Sequence, residues 1–101
     1  MGSGGKTCRV DFGSYAGDGG YGSSNPKSLS FDFKPYLVVV SSDNHSSNPQ
    51  VIVRGTNQIY FGSDTMYITW TDTGLSWYAF YGPIYQFNSI GFQYYYVAIG
   101  F

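Results

Sequence analysis

Few residues in this chain could support catalysis, and no spacing brings them together. There is one histidine, His45, one cysteine, Cys8, and six acidic residues, all of them aspartate. A serine or cysteine nucleophile needs an oriented histidine, and glycoside hydrolysis needs two carboxylates held about 5 to 9.5 Å apart. Each aspartate lies in a turn or on the polar side of a predicted strand, where solvation or capping explains it. The sequence therefore predicts a protein without enzymatic activity.

Two short motifs match functional signatures in form only. Gly17, Gly19 and Gly22 fit the dinucleotide spacing G-x-G-x-x-G, but Ser23-Ser24-Asn25-Pro26 cannot start the helix that must follow. His45 in a polar loop is typical of a surface residue, unless three copies around a trimer axis share an ion. We predict no cofactor and no resident metal.

Charged residues are scarce, which limits the classes of partner. They make up 11% of the chain, and the formal net charge is -1. No basic stripe is available to neutralise phosphates, so nucleic acid is not an expected partner. No apolar stretch approaches the eighteen or so residues that span a membrane, and no leader is recognisable, so we expect no membrane insertion. Residues 1–5 resemble a tag or linker remnant and are excluded from the fold.

The composition favours strands. Aromatic residues make up 21% of the chain, glutamate is absent, and tyrosine, phenylalanine, valine, serine and glycine are abundant. Apolar patterns bounded by turn residues predict seven or eight strands, at residues 8–12, 29–33, 36–41, 50–54, 58–61, 66–70, 75–81 and 92–101. Residues 13–28 form a turn-rich segment. We therefore expect one domain, residues 6–101, folded as a small antiparallel β-sandwich.

The last predicted strand is apolar on both alternating faces. Phe92, Tyr94, Tyr96 and Ala98 lie on one face and can fill a core. The opposite face, made of Tyr95, Val97, Ile99 and Phe101, needs a second layer, which another sheet or another copy of the chain could supply. A domain of this size buries only about 60 to 65% of its unfolded surface, so association would stabilise it. We predict a central strand next to a subunit interface.

Aromatic and amide side chains crowd the last third of the chain, from Trp70 to Asn88. Sugar rings stack on tryptophan or tyrosine, and their hydroxyl groups need carboxylate, amide or guanidinium partners. Aromatic residues on strands are more often core or interface than ligand platforms, and Trp77, Tyr81 and Tyr85 are the most ambiguous. A neutral, aromatic surface favours glycan binding over catalysis.

The closing run Tyr96-Val97-Ala98-Ile99-Gly100-Phe101 resembles the last strand of phage tail-fibre tip domains, which often end in aromatic-x-Ala-Ile-Gly-aromatic. Two earlier segments, residues 21–26 and 30–35, also look like prophage-encoded fibre ends. The resemblance implies a C-terminal tip on a virion, built as a trimer.

A second resemblance is to the H-type lectins, which are small trimeric β-sandwiches with a sugar site between subunits. Phe31-Asp32-Phe33-Lys34-Pro35, leading into Val38-Val39-Val40, looks like that family's second and third strands. The likeness places Asp43 in the acidic sugar loop, Arg54 as a basic contact and Trp70 as a sugar-contacting ring. Thr71 stands where some members have a sugar-binding histidine.

These observations together predict a homotrimeric, non-catalytic tip domain that binds cell-surface carbohydrate and is located on a virion or outside the cell. The predicted ligand contacts are Asp43, Asn44, His45, Arg54, Trp70, Trp77 and Tyr81. Two alternatives stay open. The domain could be a structural trimerisation cap without a ligand, or a secreted H-type-like lectin.

Overall fold

The computed structural model of the chain describes residues 7–43, 48–61 and 63–101. The described residues contain eight strands and no helix: β1 Arg9–Ala16, β2 Lys27–Ser30, β3 Pro35–Ser42, β4 Gln50–Val53, β5 Gln58–Phe61, β6 Asp64–Thr71, β7 Gly74–Tyr78 and β8 Gln93–Gly100. They form two four-stranded antiparallel sheets. Sheet 1 has the order β1-β8-β3-β4, and sheet 2 has the order β2-β7-β6-β5. This confirms the all-β prediction and is compatible with a small sandwich.

The core lies between the two sheets, because each strand turns one alternating set of side chains inward. Sheet 1 contributes Val38, Val40, Ile52, Tyr94 and Ala98, and sheet 2 contributes Leu29, Met66, Ile68, Leu75 and Trp77. Phe31, Phe33 and Phe87 join this cluster from loops. The buried set is rich in β-branched and aromatic residues, which pack well on pleated sheets.

The last strand is central in sheet 1, as predicted. β8 pairs with β1 on one side and with β3 on the other, in both cases antiparallel. Tyr94 and Ala98 on its inner face are buried, and Tyr96 packs against the core. The opposite face of β8 points away from the sandwich.

Three strands end more than two residues away from their predicted last residue. β1 continues to Ala16, because residues 13–16 stay in register with the start of β8. β2 begins at Lys27 and ends before Phe31 and Phe33, whose rings are buried outside the strand with centroids 5.5 Å apart. β7 ends at Tyr78, so residues 79–92 form a long loop instead of continuing the strand.

Two long loops, residues 17–26 and 79–92, pack against each other at one end of the sandwich, and Gln86 joins them. Its side chain is fully buried. Oε1 accepts hydrogen bonds from the backbone N–H groups of Gly22 and Ala79, at 3.0 and 2.9 Å, and Nε2 donates to the carbonyl oxygen of Asn25 at 2.7 Å. The carboxamide thus adds to the backbone hydrogen bonds that join the two loops directly, such as the one from the Gly19 N–H to the carbonyl oxygen of Asn88.

Asn88 is a second buried amide between the same loops. Its Oδ1 accepts a hydrogen bond from the backbone N–H of Asp18 at 3.1 Å, and its Nδ2 donates to the Asp18 carboxylate and to the carbonyl oxygen of Gly20. We call this region, residues 17–26 and 79–92, the loop end of the sandwich. The opposite end, where β3 begins and β6 ends, is the Arg54 end.

Candidate interaction surfaces

The structure brings two of the predicted contact residues, Arg54 and Trp70, together at the Arg54 end. The guanidinium carbon lies 4.9 Å from the centroid of the Trp70 ring and 5.5 Å from that of Tyr36. Nε donates to the carbonyl oxygen of Pro35 and Nη2 donates to that of Thr71, both at 2.7 Å. Arg54 therefore joins the first residue of β3 in sheet 1 to the last residue of β6 in sheet 2.

Trp70 is part of the edge of the core. It is half-buried and packs against the core cluster, and its indole N–H donates to the carbonyl oxygen of Thr56 at 2.8 Å. Both members of the pair are thus engaged in holding the two sheets together. Tyr36 is the more exposed ring of this cluster.

Asp43 lies at the loop end, away from Arg54. It follows the last residue of β3, whereas Arg54 contacts the first, Pro35, and eight residues of extended chain separate two points by more than about 20 Å. Its backbone N–H donates to the carbonyl oxygen of Gln93, and its Oδ1 accepts from the Gln93 N–H at 3.2 Å. Within the single chain, Asp43 and Arg54 therefore do not share a site. Asn44 and His45 lie outside the described residues.

Trp77 is in the core, which corrects its prediction as a sugar-stacking ring. Only 1% of its surface is exposed, and its indole N–H donates to the backbone carbonyl of Gln86 at 2.8 Å. Its ring faces are covered by core neighbours, among them Tyr15 at a centroid distance of 6.5 Å. Tyr81, by contrast, is 72% exposed and stays a candidate contact.

The outer face of sheet 1 carries two rows of apolar side chains that cross all four strands. The rows are Val10–Ile99–Leu37–Val53 and Phe12–Val97–Val39–Val51. None of these side chains is charged, and the patch spans about 14 Å from β1 to β4 at the usual strand spacing. The ends of both rows are well exposed in the single chain, as is Tyr95 in the next register position. We call this patch the apolar face.

The four residues predicted to lie at a subunit interface are on or beside the apolar face. Tyr95 and Val97 are exposed, and Ile99 is half-buried. Phe101 follows the end of β8, and its ring meets that of Tyr36 edge-on at a centroid distance of 5.6 Å. None of the described strands forms a second layer over this face, so the partner stays a prediction.

The orientation of β1 differs from the one that its pattern predicts. Val10 and Phe12 alternate with Arg9 and Asp11, a pattern that by itself is typical of a strand whose apolar side faces the core. In the structure Val10 and Phe12 point outward, and Arg9, on the other side, pairs with Asp32 at 2.9 Å. β1 is the edge of sheet 1, so its inward-pointing polar side chains reach the rim of the sandwich. The alternation alone does not distinguish the two orientations, whereas the register of Val10 and Phe12 with Ile99 and Val97 does.

Two ionisable groups at the loop end have shifted pKa values. Hydrogen bonds from the Gly20 N–H and the Asn88 side chain hold the pKa of the Asp18 carboxyl below its ordinary value. Burial raises the pKa of the Tyr15 phenol, whose hydroxyl donates to the carbonyl oxygen of Phe87 at 2.8 Å. The partners of both groups are loop atoms, so these shifts reflect the packing of the loop end.

Comparison with protein-family models, with curated proteins and with solved structures gives no match to this chain. The described residues include no group of three or more histidine, cysteine, aspartate or glutamate side chains placed to hold a metal ion. Within the same residues, no helix is long and apolar enough to cross a bilayer.

Proposed function

We propose that this chain is the C-terminal receptor-binding tip of a phage or phage-like tail fibre, acting as a homotrimer that binds cell-surface glycan without catalysis. The apolar face is the observation that carries the proposal. Contiguous exposed apolar patches of more than a few hundred Å² are uncommon on monomers and mark interaction sites. The location that follows is a virion or another extracellular setting.

A second copy of the chain is the partner that suits the apolar face. Its rows are apolar and uncharged, as expected for the core of an interface between identical subunits. β1 supports this choice, because it presents Val10 and Phe12 outward and charged residues inward. Burial of one such side chain contributes about 1.5–3 kcal/mol, so several of them can hold a trimer together.

The glycan part of the proposal is supported by the rest of the surface. The chain is poor in charge and rich in tyrosine, which suits a neutral ligand with hydroxyl groups and C–H faces. One shallow site of this kind binds weakly, but three sites on one rigid trimer can raise avidity by about 10² to 10⁴.

Solution mass by light scattering tests the association, and a glycan array probed with labelled protein then tests the ligand. We expect about three times the chain mass of 11.2 kDa and discrete glycan hits. A monomer at micromolar concentration would overturn the proposal. A trimer that binds no glycan would overturn the receptor-binding part of it.

A structural trimerisation cap is the second candidate, and the predicted contact residues favour it in one respect. Trp77 is buried, and Arg54 and Trp70 are engaged in joining the sheets. A cap of this kind would form the same trimer and show no glycan hits. A secreted H-type-like lectin would show both the trimer and the glycan hits. The sequence of the full-length gene around this domain would therefore be needed to distinguish it from a fibre tip.

A further inference from the structure

Asp64 is a buried carboxylate that fixes the main chain after β7. It is 3% exposed, and its Oδ1 accepts hydrogen bonds from the backbone N–H groups of Thr65 at 2.7 Å and Phe80 at 3.2 Å. Its Oδ2 accepts from the N–H of Tyr81 at 2.9 Å. A carboxylate is costly to bury unless it is hydrogen-bonded, and these three donors supply the bonds. Phe80 and Tyr81 therefore have a defined backbone position.

The ring of Phe80 completes an aromatic cluster on the outer face of sheet 2. Tyr67 and Tyr78 are cross-strand partners whose rings stack at a centroid distance of 5.4 Å. Phe80 meets both rings edge-on, at 5.6 and 5.4 Å. Half of the Phe80 side chain is nevertheless exposed. The result is a preorganised apolar surface that ends in an exposed ring.

Neutral polar groups surround this cluster. Tyr60, on the edge strand β5, is 74% exposed, and its hydroxyl donates to Oε1 of Gln58 at 2.8 Å. Gln58 is the cross-strand partner of Tyr67. The other outward positions of the four strands hold serine, threonine and glycine, so no described outward side chain of sheet 2 is charged.

The two outer faces of the sandwich therefore differ in chemistry. Sheet 1 presents aliphatic side chains without hydrogen-bonding groups over most of its face, which suits a second copy of the chain. Sheet 2 presents rings together with hydroxyl and amide groups. Rings stack on the C–H face of a sugar, and the hydroxyl and amide groups exchange hydrogen bonds with its hydroxyl groups. The absence of a described outward cation disfavours anionic glycans on this face.

We infer that the outer face of sheet 2 is a binding site for a neutral saccharide, with Phe80, Tyr60, Tyr67 and Tyr78 as contacts. Asp64 acts as a positioning residue, since it contacts the main chain of residues 80 and 81 and lies inside the sandwich. This inference rests on the proposed glycan binding and places the site on sheet 2, separate from Arg54 and Trp70.

The test uses the full chain and two substitutions of exposed rings, Phe80→Ser and Tyr60→Ser. Tyr21→Ser is the matched control, because Tyr21 is also an exposed ring but lies in the loop after β1. The probes are the glycan array and saturation-transfer NMR with methyl mannoside, methyl galactoside and methyl N-acetylglucosaminide. Sialyllactose serves as the anionic comparison.

We expect the unmodified chain to bind neutral glycans on the array. The affinity should fall about tenfold for each of Phe80→Ser and Tyr60→Ser and should not change for Tyr21→Ser. Hits that survive both ring substitutions would overturn the placement on sheet 2 and leave glycan binding intact. Binding only to sialylated glycans would overturn the inference that the ligand is a neutral saccharide. No hits at all would overturn both this inference and the receptor-binding part of the proposed function.

Asp64→Asn separates positioning from folding. The amide keeps the shape of the carboxylate but presents a donor where at least one backbone N–H needs an acceptor. We expect affinity to fall while circular dichroism still shows the folded state, and the amide NMR signals of Phe80 and Tyr81 to shift. Unchanged affinity in the folded variant would overturn the positioning role.

Discussion

Phe12 on β1 lies directly opposite Val97 on β8, and both side chains point away from the core, with 76% and 41% of their surfaces exposed. The same row continues through Val39 to Val51 at the other edge of the sheet. In a sheet with one face in water, the residues along each strand alternate between apolar side chains in the core and polar side chains in solvent. This face is apolar as well, which is the pattern of a sheet covered on both sides.

Phe12→Ser should weaken self-association by at least about tenfold, because the ring contributes about 1.5–3 kcal/mol when buried between subunits. The fold of the single chain should persist, since this side chain makes little contact with the core. Sedimentation over a range of concentrations measures the effect. Phe80→Ser, which changes an exposed ring that packs on the outer face of sheet 2, is the matched control and should keep the mass. Equal mass for both variants would contradict the assignment of the interface to sheet 1.

Gln86→Leu should destabilise the domain strongly, although the new side chain has a similar volume and is apolar. Ala79 N–H and Asn25 C=O lose their bonds to the carboxamide, and each buried unpartnered group costs about 1–3 kcal/mol. We expect a loss of roughly 2–5 kcal/mol in the free energy of unfolding, measured by urea denaturation. Gln58→Leu, at an exposed position, should change it by less than about 0.5 kcal/mol. A small effect at Gln86 would show that the loops pack without the amide.

The strands were predictable because their signals are local. Alternating apolar residues and the turn at Asp72-Thr73 predict the hairpin of β6 and β7, and the apolar run at the end of the chain predicts a buried central strand. The orientation of β1 was not predictable, because the same alternation serves a core and a subunit interface equally well. The sequence does not indicate that Gln86 is buried, because its main-chain partners lie as far as 64 residues away and leave no local pattern.

The candidate site was predictable only in part. An aromatic surface for sugars was expected in the last third of the chain, but single rings there could not be assigned to core or surface. Trp77 faces the core because its inward position follows from the register of β7 with β6. Arg54 and Trp70 contact each other and the main chain, and their contact with a ligand stays a prediction.

Tyr15→Phe should flatten the loss of stability at high pH. Burial raises the pKa of the Tyr15 phenol, and the unfolded chain ionises near its ordinary value of about 10. Above that pH the unfolded state releases a proton that the native state keeps, so the free energy of unfolding falls by up to about 1.4 kcal/mol per pH unit. Urea denaturation between pH 8 and 11 measures the slope, with Tyr21→Phe as the exposed control. If the free energy of unfolding fell with pH at the same slope in Tyr15→Phe and Tyr21→Phe, ionisation of Tyr15 would not be the cause of the loss of stability.

Asp18→Asn should reduce the loss of stability at low pH. Hydrogen bonds from the Gly20 N–H and the Asn88 side chain lower the pKa of the Asp18 carboxyl. Its stabilising contribution is therefore present above the unfolded pKa, near 4, and is lost as the pH falls through the lower folded value. Thermal unfolding followed from pH 6 to pH 2 should show a shallower decline than in the unmodified chain. Asp72→Asn, in the exposed hairpin turn, is the control, and an equal effect there would refute the role of Asp18.

Gly17→Ala should separate the two loops of the loop end. A Cβ atom at residue 17 would collide with the carbonyl oxygen of Ser89, and Gly17 cannot move away freely because its N–H donates to the carbonyl oxygen of Phe92 at 3.0 Å. We expect a loss of about 2 kcal/mol or more in the free energy of unfolding. Gly22→Ala is the comparison, since residue 22 has a φ of 90° and open space around it, and its cost should stay near 1 kcal/mol. If Gly17→Ala cost no more than Gly22→Ala, the loops would be adjusting to each other, and the close packing of residue 17 against residue 89 would not determine the stability of this end.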